Sequence, residues 1–516
     1  MVRRYDRPVK AMRILLWHGW LLEGTGSNIY TSKVAEVWRR QGHEVVAVCQ
    51  QPPSPSFPHV DGWGTAGPAG VHGIDGNRSG DRRMVVIRPD IGTLLPVFVV
   101  DEYEGFEVKP FVDLEDDELA TYLDRNVDAL SAVAAWSSPD VVVAGHAMPG
   151  PVVARRALGE GAYAAKVHGS DLEYAIRYQD RFAALAREGL EAATAVAGAS
   201  ADVLQRTEAV VPAIAGRTHV VPPGVEIDAW RPRPRGAALN DAAERLTADV
   251  DRSAGRHIGT DTEVRRRMAD RAPGALDELA GSYDQAVPDP DAPARLRALA
   301  SWSGPVVGYV GKLIPQKGVE RFVEVLALLG PDVHGLVVGF GSFREWVAAL
   351  VAALDAGDPD AHAWLAEESP MHLDLGAHEV TAAAGLGERI TFTGRLAHRH
   401  LSAVTPALDV LVVPSTLGEA FGMVAAEAAA AGVPPVVARH SALAEVARAL
   451  EGAAGEPGML SFEPGPGATH RAAAAVRRIL DLGPASRREL GHALREYVVR
   501  EWTWDRTADK LLAAAR

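Results

Sequence analysis

The sequence predicts an α/β protein of two doubly wound, parallel-sheet lobes facing across a cleft. Three observations lead there. Short apolar runs alternate with longer helical patterns almost throughout the chain. The alternation breaks over residues 231–300 and then restarts. At 516 residues the chain is too long for one core, so two or three domains are expected.

The first lobe opens with MRILLW (12–17), a strand-like run. TSKVAEVWRRQGH (31–43) then places Val34, Val37 and Trp38 at helical spacing and stops at Gly42, and EVVAVC (44–49) is the next strand. The pattern resumes at DVVVAG (140–145), AAKVHG (164–169), AVAGAS (195–200) and THVVPPG (218–224), giving a lobe over 1–225. Residues 226–300 read as an inter-domain insertion with some helix. The stretch from 231 opens on RPRPRG, closes near PDPDAP, and is charged and weakly apolar between. The second lobe, 301–499, carries PVVGYVGK (305–312), HGLVVGFG (334–341), RITFTG (389–394), DVLVVPS (409–415) and PPVVAR (434–439). An additional helical segment spans roughly 343–385. The last helix, over 497–515, is expected to bend near Trp502 and Trp504.

Composition narrows the class. Hydrophobic residues make up 47% and charged ones 23%, ordinary values for a soluble globular protein. The formal net charge of −14 disfavours nucleic acid as a partner, though it leaves room for a ligand that needs only a local positive site. The one cysteine, Cys49, ends an apolar run and reads as a buried, inert thiol in a reducing compartment. Arg3, Arg4 and Arg7 precede an apolar stretch too short for a secretory signal, and no run is long enough to span a membrane. These features together predict a cytoplasmic location. With few N-terminal arginines on an acidic chain, peripheral membrane contact is disfavoured.

In doubly wound sheets, ligands sit beyond the carboxyl ends of the strands, where helix N-termini favour anions. After PVVGYVG come Lys312 and Lys317, at the entrance to a helix with Val319, Phe322, Val323 and Leu326 on one face. Two ammoniums there suit a phosphate, although alone they read better as solvated lysines. After DVLVVPS comes GEAFGMVAAEAAAAGVPPVV, in which Gly422 and Met423 open a helix. Glu419 stands just before that helix and Glu427 inside it. Eight residues at about 1.5 Å of rise span roughly 12 Å, too far for a glycosidase carboxyl pair. The spacing suits an extended ligand touched at two points. His168, after AAKV, stands at a strand end where a reacting histidine could sit. Gly24 and Gly26 give a weak dinucleotide fingerprint whose third glycine is replaced by Ile29. The two Asp-Pro-Asp triplets, at 289–291 and 358–360, read as turns, and His398 with His400 lacks a further nearby ligand for a metal.

These motifs resemble the retaining family-4 glycosyltransferases of GT-B fold. GYVGKLIPQKGVE, VVGFGS, ITFTGRL, LDVLVVPSTLGEAFGMVAAEAAAAGVPPVV, KVHGSDL and VVPPGVEIDAW carry the resemblance, and the Glu-x7-Glu element is the family's mark. The resemblance implies a metal-independent hexosyl transfer from a nucleotide-sugar donor to an unidentified acceptor, with no bound cofactor. It implies that Lys312 and Lys317 bind the diphosphate, that Glu419 holds sugar hydroxyls, and that Glu427 holds the ribose. Gly422, Met423 and Val424 would offer backbone amides to phosphate, and Arg395 with Leu396 would lie against the base. His168 and the Gly24 and Gly26 loop would face the reacting centre. The terminal helix, 500–516, would cross back onto the first lobe.

The chain departs from the family pattern at Lys312, where arginine is usual, at Ala420, where glycine is common, and in ARHSALAEV, which lacks paired glycines. The rival classes are an NAD(P)-dependent oxidoreductase using Gly24 and Gly26, and a non-catalytic sugar-nucleotide-binding protein.

Overall fold

The computed structural model describes residues 11–76, 84–98, 103–272, 274–276, 278–279 and 287–516. Arg3, Arg4 and Arg7 lie outside the described residues. The chain divides into two compact units: one runs to Gly224 and includes Trp504–Arg516, and the other is Val225–Thr503.

The first unit is built on a nine-stranded sheet of order β11-β10-β9-β8-β1-β2-β5-β3-β4. Its strands are β1 (Arg13–Trp17), β2 (Glu44–Val48), β3 (Gly62–Gly67), β4 (Gly70–Gly76), β5 (Met84–Pro89), β8 (Val141–Gly145), β9 (Ala164–Val167), β10 (Val196–Gly198) and β11 (Thr218–Val220); β6 (Leu94–Val97) and β7 (Glu107–Pro110) pair separately. The apolar runs form the parallel centre because helices cover both faces: Leu15 stands opposite Val46 on one side and Val142 on the other. The helix Gly26–Arg40 makes the crossover between β1 and β2. The antiparallel β3–β4 hairpin was not expected. GWGTAG and GVHGIDG are glycine-rich and carry no apolar run, so neither period marks them as strands.

The terminal helix Trp504–Ala514 packs within this unit. Trp38 Nε1 donates to the Ala508 carbonyl at 3.1 Å, Thr507 Oγ1 donates to the Pro222 carbonyl at 2.8 Å, and Arg40 pairs with Asp505 at 2.6 Å. The expected bend is a break at Trp502 and Thr503, before which the helix Pro484–Glu501 ends.

The second unit holds a six-stranded, all-parallel sheet: β12 (Val306–Val310), β13 (His334–Val338), β14 (Ile390–Phe392), β15 (Val410–Val413), β16 (Pro435–Ala438) and β17 (Ser461–Phe462), in the order β14-β13-β12-β15-β16-β17. Residues 226–300, expected as a linker between domains, are instead part of this unit. The helix Arg235–Asp249 buries Ala238, Leu239, Ala242, Ala243 and Leu246 completely, at helical spacing, and packs on the helix Ala292–Ala300. Alanine supplies most of that face, which is why the stretch reads as weakly apolar. Arg235 then fastens it to the sheet: its guanidinium donates to the carbonyls of Ala407, Trp302 and Gly304 at 3.0, 3.1 and 2.8 Å and pairs with Asp409.

The additional segment forms the helices Arg344–Ala356, Pro359–Glu368 and Ala377–Ala382. Asp358 caps the second of these, accepting from the backbone N–H groups of Asp360 and Ala361 at 3.0 Å each. The segment is anchored by the buried carboxylate of Glu324. It accepts from the backbone of Asp374 at 2.9 Å and of Leu375 at 3.2 Å, from His362 at 3.0 Å and from Thr469 at 3.2 Å. Truncation would strand these donors in a dry interior, and each lost partner costs about 1–3 kcal/mol. Glu324→Ala should therefore lower unfolding free energy by at least about 3 kcal/mol in urea titration, whereas an exposed glutamate such as Glu496 changed to alanine should cost under about 0.5 kcal/mol. Equal effects of the two would show that Glu324 does not anchor the segment.

Candidate active site

In the second unit, β12 and β15 are neighbours, with Gly308 opposite Leu411, so the loops that follow them lie side by side. After β12 the chain passes Lys312 and makes a single turn over Pro315–Lys317. Gly318 then adopts a left-handed conformation (φ +65°), and a Cβ there would stand 2.3 Å from the Pro414 carbonyl oxygen. Glycine is what lets the two loops close. The Thr416 N–H donates to the Gln316 carbonyl at 2.9 Å across the same seam.

The closure brings the Lys317 ammonium onto the Glu419 carboxylate as an ion pair. Glu419 also accepts from Ser415 Oγ at 2.7 Å, and its own N–H donates to Ser441 Oγ at 3.0 Å. Burial pushes the Glu419 carboxyl up, but Lys317, Ser415 and His440 together outweigh it and hold the group below the usual carboxylate range. His440 Nε2 bonds the Ser415 carbonyl at 2.6 Å. Sequence reasoning did not single out Ser415, His440 or Ser441. Ser441 stands at φ +48° in ARHSALAEV, a backbone conformation that glycine fills more readily. Its hydroxyl, which glycine would lack, reaches Glu419.

Gly422 turns the chain at φ +102° into the helix Met423–Ala430, whose N-terminus has no side-chain cap. Met423 and Val424 at that end are partly exposed. Free N–H groups and the positive end of the helix dipole meet there, a few residues after Glu419, which pairs with Lys317. Glu427 is the residue expected to hold the ribose. It is buried, 2% exposed, with His398 Nε2 at 3.4 Å. Burial, and secondarily the charge of Glu226, push its carboxyl up to about 8.

A further row runs across the same strand ends. The Gly311 N–H donates to the Val338 carbonyl at 3.1 Å, the Leu313 N–H to Phe340 at 2.6 Å, and the Gly339 N–H to Gly394 at 3.0 Å. The Phe340 ring lies between two cations, with Lys312 Nζ 5.7 Å and the Arg395 guanidinium 5.5 Å from its centroid. Leu396 is buried beside them. Phe340 is a residue the sequence analysis quoted only within a motif.

In the first unit, His168 belongs to a cluster at the ends of β1, β8 and β9. Its ring centroid is 4.7 Å from His146, 6.4 Å from His18 and 5.3 Å from Tyr30. His18 is fixed by Asn28 Oδ1 at 2.8 Å and Thr31 Oγ1 at 3.1 Å. His146 is buried at φ +70°, with no hydrogen-bond partner on either ring nitrogen. Burial holds all three imidazoles neutral: His18 is lowered to about 4, and His146 and His168 well below the ordinary range. Burial likewise lowers Lys166 to about 7, although Asp171 opposes this. Asp171 accepts backbone N–H bonds from Gly169 at 3.1 Å and Leu172 at 3.0 Å, which shapes the turn that carries His168. Gly24 (φ +95°) and Gly26, at the start of its helix, border open space.

Among the described residues, no group of three or more His, Cys, Asp or Glu side chains is placed to hold a metal ion. Asp289 and Asp291 both pair with Arg295, at 3.4 and 2.8 Å, and His398 faces Glu427. Cys49 is buried, its thiol pushed up to about 12 by burial. Among the described residues no helix is long and apolar enough to cross a membrane.

Family models match both units: "Glycosyl transferase 4-like domain" over residues 25–224 and "Glycosyl transferases group 1" over residues 376–497. Together they span more than half of the chain. The chain belongs to the family-4-like glycosyltransferases of GT-B fold. Lys312 and Lys317 lie outside both matched spans, whereas Glu419, Glu427 and Arg395 lie inside the second. Its relatives include a 2-deoxystreptamine glucosyltransferase of Streptomyces kanamyceticus, 30% identical over 49% of this chain and 54% of the relative. A D-inositol 3-phosphate glycosyltransferase of Mycolicibacterium gilvum is 29% identical over 38% of this chain and 37% of the relative. The chain thus spans about half the length or less of these curated relatives. In fold it is similar to the sucrose-phosphate synthase of Thermosynechococcus elongatus (TM-score 0.56, 20% identity, 97% and 98% of the two chains). It is also similar to Anabaena HepE in complex with UDP (TM-score 0.55, 15% identity, 97% and 99%). These matches do not favour the oxidoreductase alternative for this family member.

The raised Glu427 carboxyl has a measurable consequence. A carboxyl raised from its ordinary value to about 8 contributes stability that is fully present below the unfolded pKa and is lost as pH rises toward 8. Glu427→Gln removes that dependence. Relative to wild type, its Tm should rise between pH 5 and pH 8 in scanning calorimetry. A difference that stays flat across this window would mean Glu427 is ionised in the folded protein.

Proposed function

We propose that this family member transfers a hexosyl group from a nucleoside-diphosphate sugar to a hydroxyl acceptor, with retention of anomeric configuration. The observation that carries the reading is the Lys317–Glu419 pair beside the uncapped N-terminus of Met423–Ala430. Fixed cations and a helix end make a diphosphate site, and a carboxylate held ionised next to them can bind the hydroxyls of the sugar that the diphosphate carries. The UDP bound in HepE, and the UDP and glucose in a second HepE structure, support a nucleotide-sugar ligand for this fold.

In this reading the bond between the sugar's anomeric carbon and the β-phosphate oxygen breaks, and charge builds on that oxygen. Lys317 and Lys312 stabilise it where it forms. The acceptor hydroxyl attacks on the face the phosphate leaves, giving retention, and the leaving phosphate takes its proton. His168 is a neutral imidazole within its own cluster in the first unit. Glu427 accepts from the ribose hydroxyls in its ionised form, which couples donor binding to loss of its proton. A reducing, cytoplasmic setting suits the single buried cysteine.

Lys317→Ala should lower kcat by about 10²–10³, the usual cost of one transition-state donor, with a smaller effect on donor KM. Initial rates with a matched nucleotide sugar measure it, and unchanged kinetics in a folded variant would remove Lys317 from the site.

Transfer should also survive excess chelator, because the lysines and the helix end do the work of a divalent cation and Arg295 engages both carboxylates of the 289–291 triplet. Loss of activity in chelator and its return with manganese would overturn the metal-free mechanism.

A further inference from the structure

The region 226–300 does more than pack on the second unit. Its last stretch before the helix Ala292–Ala300 reaches the row of strand ends. The Asp289 N–H donates to the Thr393 carbonyl at 2.8 Å, and the Arg395 N–H donates to the Val287 carbonyl at 3.2 Å. Pro288 and Gly394 form an antiparallel bridge between these bonds. Residues 287–289 thus extend by one segment the row of loops 311–313, 339–341 and 393–395.

The contact is tight and specific. Gly394 stands at φ +69°, and a Cβ on it would lie 2.6 Å from Asp289 N, 2.7 Å from Asp289 Oδ1 and 2.8 Å from the Val287 carbonyl oxygen. The segment is in turn clasped by charge. Asp289 is 2% exposed and pairs with Arg295 at 3.4 Å, and Arg295 also donates to the Phe392 carbonyl at 3.0 Å. On the ring of Phe392, the buried Arg344 guanidinium stacks at 3.8 Å. Next to it in sequence, Glu345 forms a buried two-pronged pair with Arg256, at 2.8 and 2.6 Å. Buried pairs of this kind are weak sources of net stability, and their better-attested use is fixing register. Here the backbone pairing at 287–289 and the Arg295 hydrogen bond both reach the end of β14, while Arg256 braces Glu345 beside the arginine that stacks on Phe392.

We infer that residues 287–289, held by Asp289 and Arg295, set the conformation of the 393–395 loop and thereby the affinity and selectivity for the nucleoside part of the donor. The inference rests on the reading that Arg395 and Leu396 lie against the base. Asp289 is a positioning residue: its backbone N–H bonds the Thr393 carbonyl and it lies against Gly394. The nucleoside and the diphosphate are accordingly separable in binding.

Isothermal titration calorimetry with UDP, GDP, ADP and inorganic pyrophosphate on the full chain tests this. Wild type should bind one nucleoside diphosphate in preference to the others and more tightly than pyrophosphate. Asp289→Ala should weaken that nucleotide by about tenfold and narrow the preference among bases, leaving pyrophosphate affinity within about twofold. Asp289→Asn, which keeps the size and an acceptor, should recover most of the loss. If Asp289→Ala does not fold, Arg295→Gln, on a partly exposed residue, should show the same split. Wild-type behaviour of the variants, or equal loss of nucleotide and pyrophosphate, would overturn the positioning role. If wild-type protein bound neither nucleotide nor pyrophosphate, the donor site itself would be wrong and this inference would fall with it.

Discussion

Lys317 and Glu419 meet because two neighbouring parallel strands end at the same level and the loops beyond them close over Gly318. That closure is the constraint from which the rest of the site follows. It places an ammonium and a carboxylate side by side, and the ammonium helps hold the carboxyl below its usual range despite burial. It also sets the direction in which the chain enters the helix Met423–Ala430, since Ser415 and Glu419 are bonded to each other before the turn at Gly422. A side chain at Gly318 would press on the Pro414 carbonyl and separate the loops. The pair would then be lost without either charged residue being touched.

Much of this was legible in the sequence. The central parallel strands of both units are short, continuous apolar runs, since a strand buried on both faces needs no polar alternation. The strand-end positions of Lys312, Lys317, Glu419 and His168 follow from those runs. What was not legible has identifiable physical causes. The β3–β4 hairpin is held by glycine-rich segments whose pairing depends on the neighbouring β5, not on any pattern of their own. The helix Arg235–Asp249 hides its core face in alanines, so the region read as a linker although Leu239 and Leu246 are fully buried.

Side chains that serve the site without standing in a motif were harder still. Ser441 and His440 reach Glu419 and Ser415 from the next strand over, a relation that only the β15–β16 pairing creates. His18 and His146 join His168 from strands far apart in sequence. Their common property, neutrality imposed by burial among like groups, belongs to the folded cluster and to none of the residues alone. Glu427 teaches the same point in reverse. Its position in the motif suggested a ligand contact, and the alanine-rich helix that makes the motif recognisable also buries it, which pushes its carboxyl up to about 8.

The charge distribution reconciles an acidic chain with an anionic ligand. A net charge of −14 sets the long-range field, which would repel a diphosphate, but screening confines that field to about 8–10 Å at physiological salt. Inside that distance the second unit presents Lys312, Lys317, Arg395 and a helix N-terminus, while its nearest carboxylates are paired, as Glu419 is with Lys317, or pushed up by burial, as Glu427 is. A carboxyl pushed up by burial leaves less negative charge on the helix whose N-terminus follows Glu419. In the proposed donor site, ribose hydroxyls bonding to that carboxyl would favour its charged form, so the burial that raises it would also couple it to the ligand.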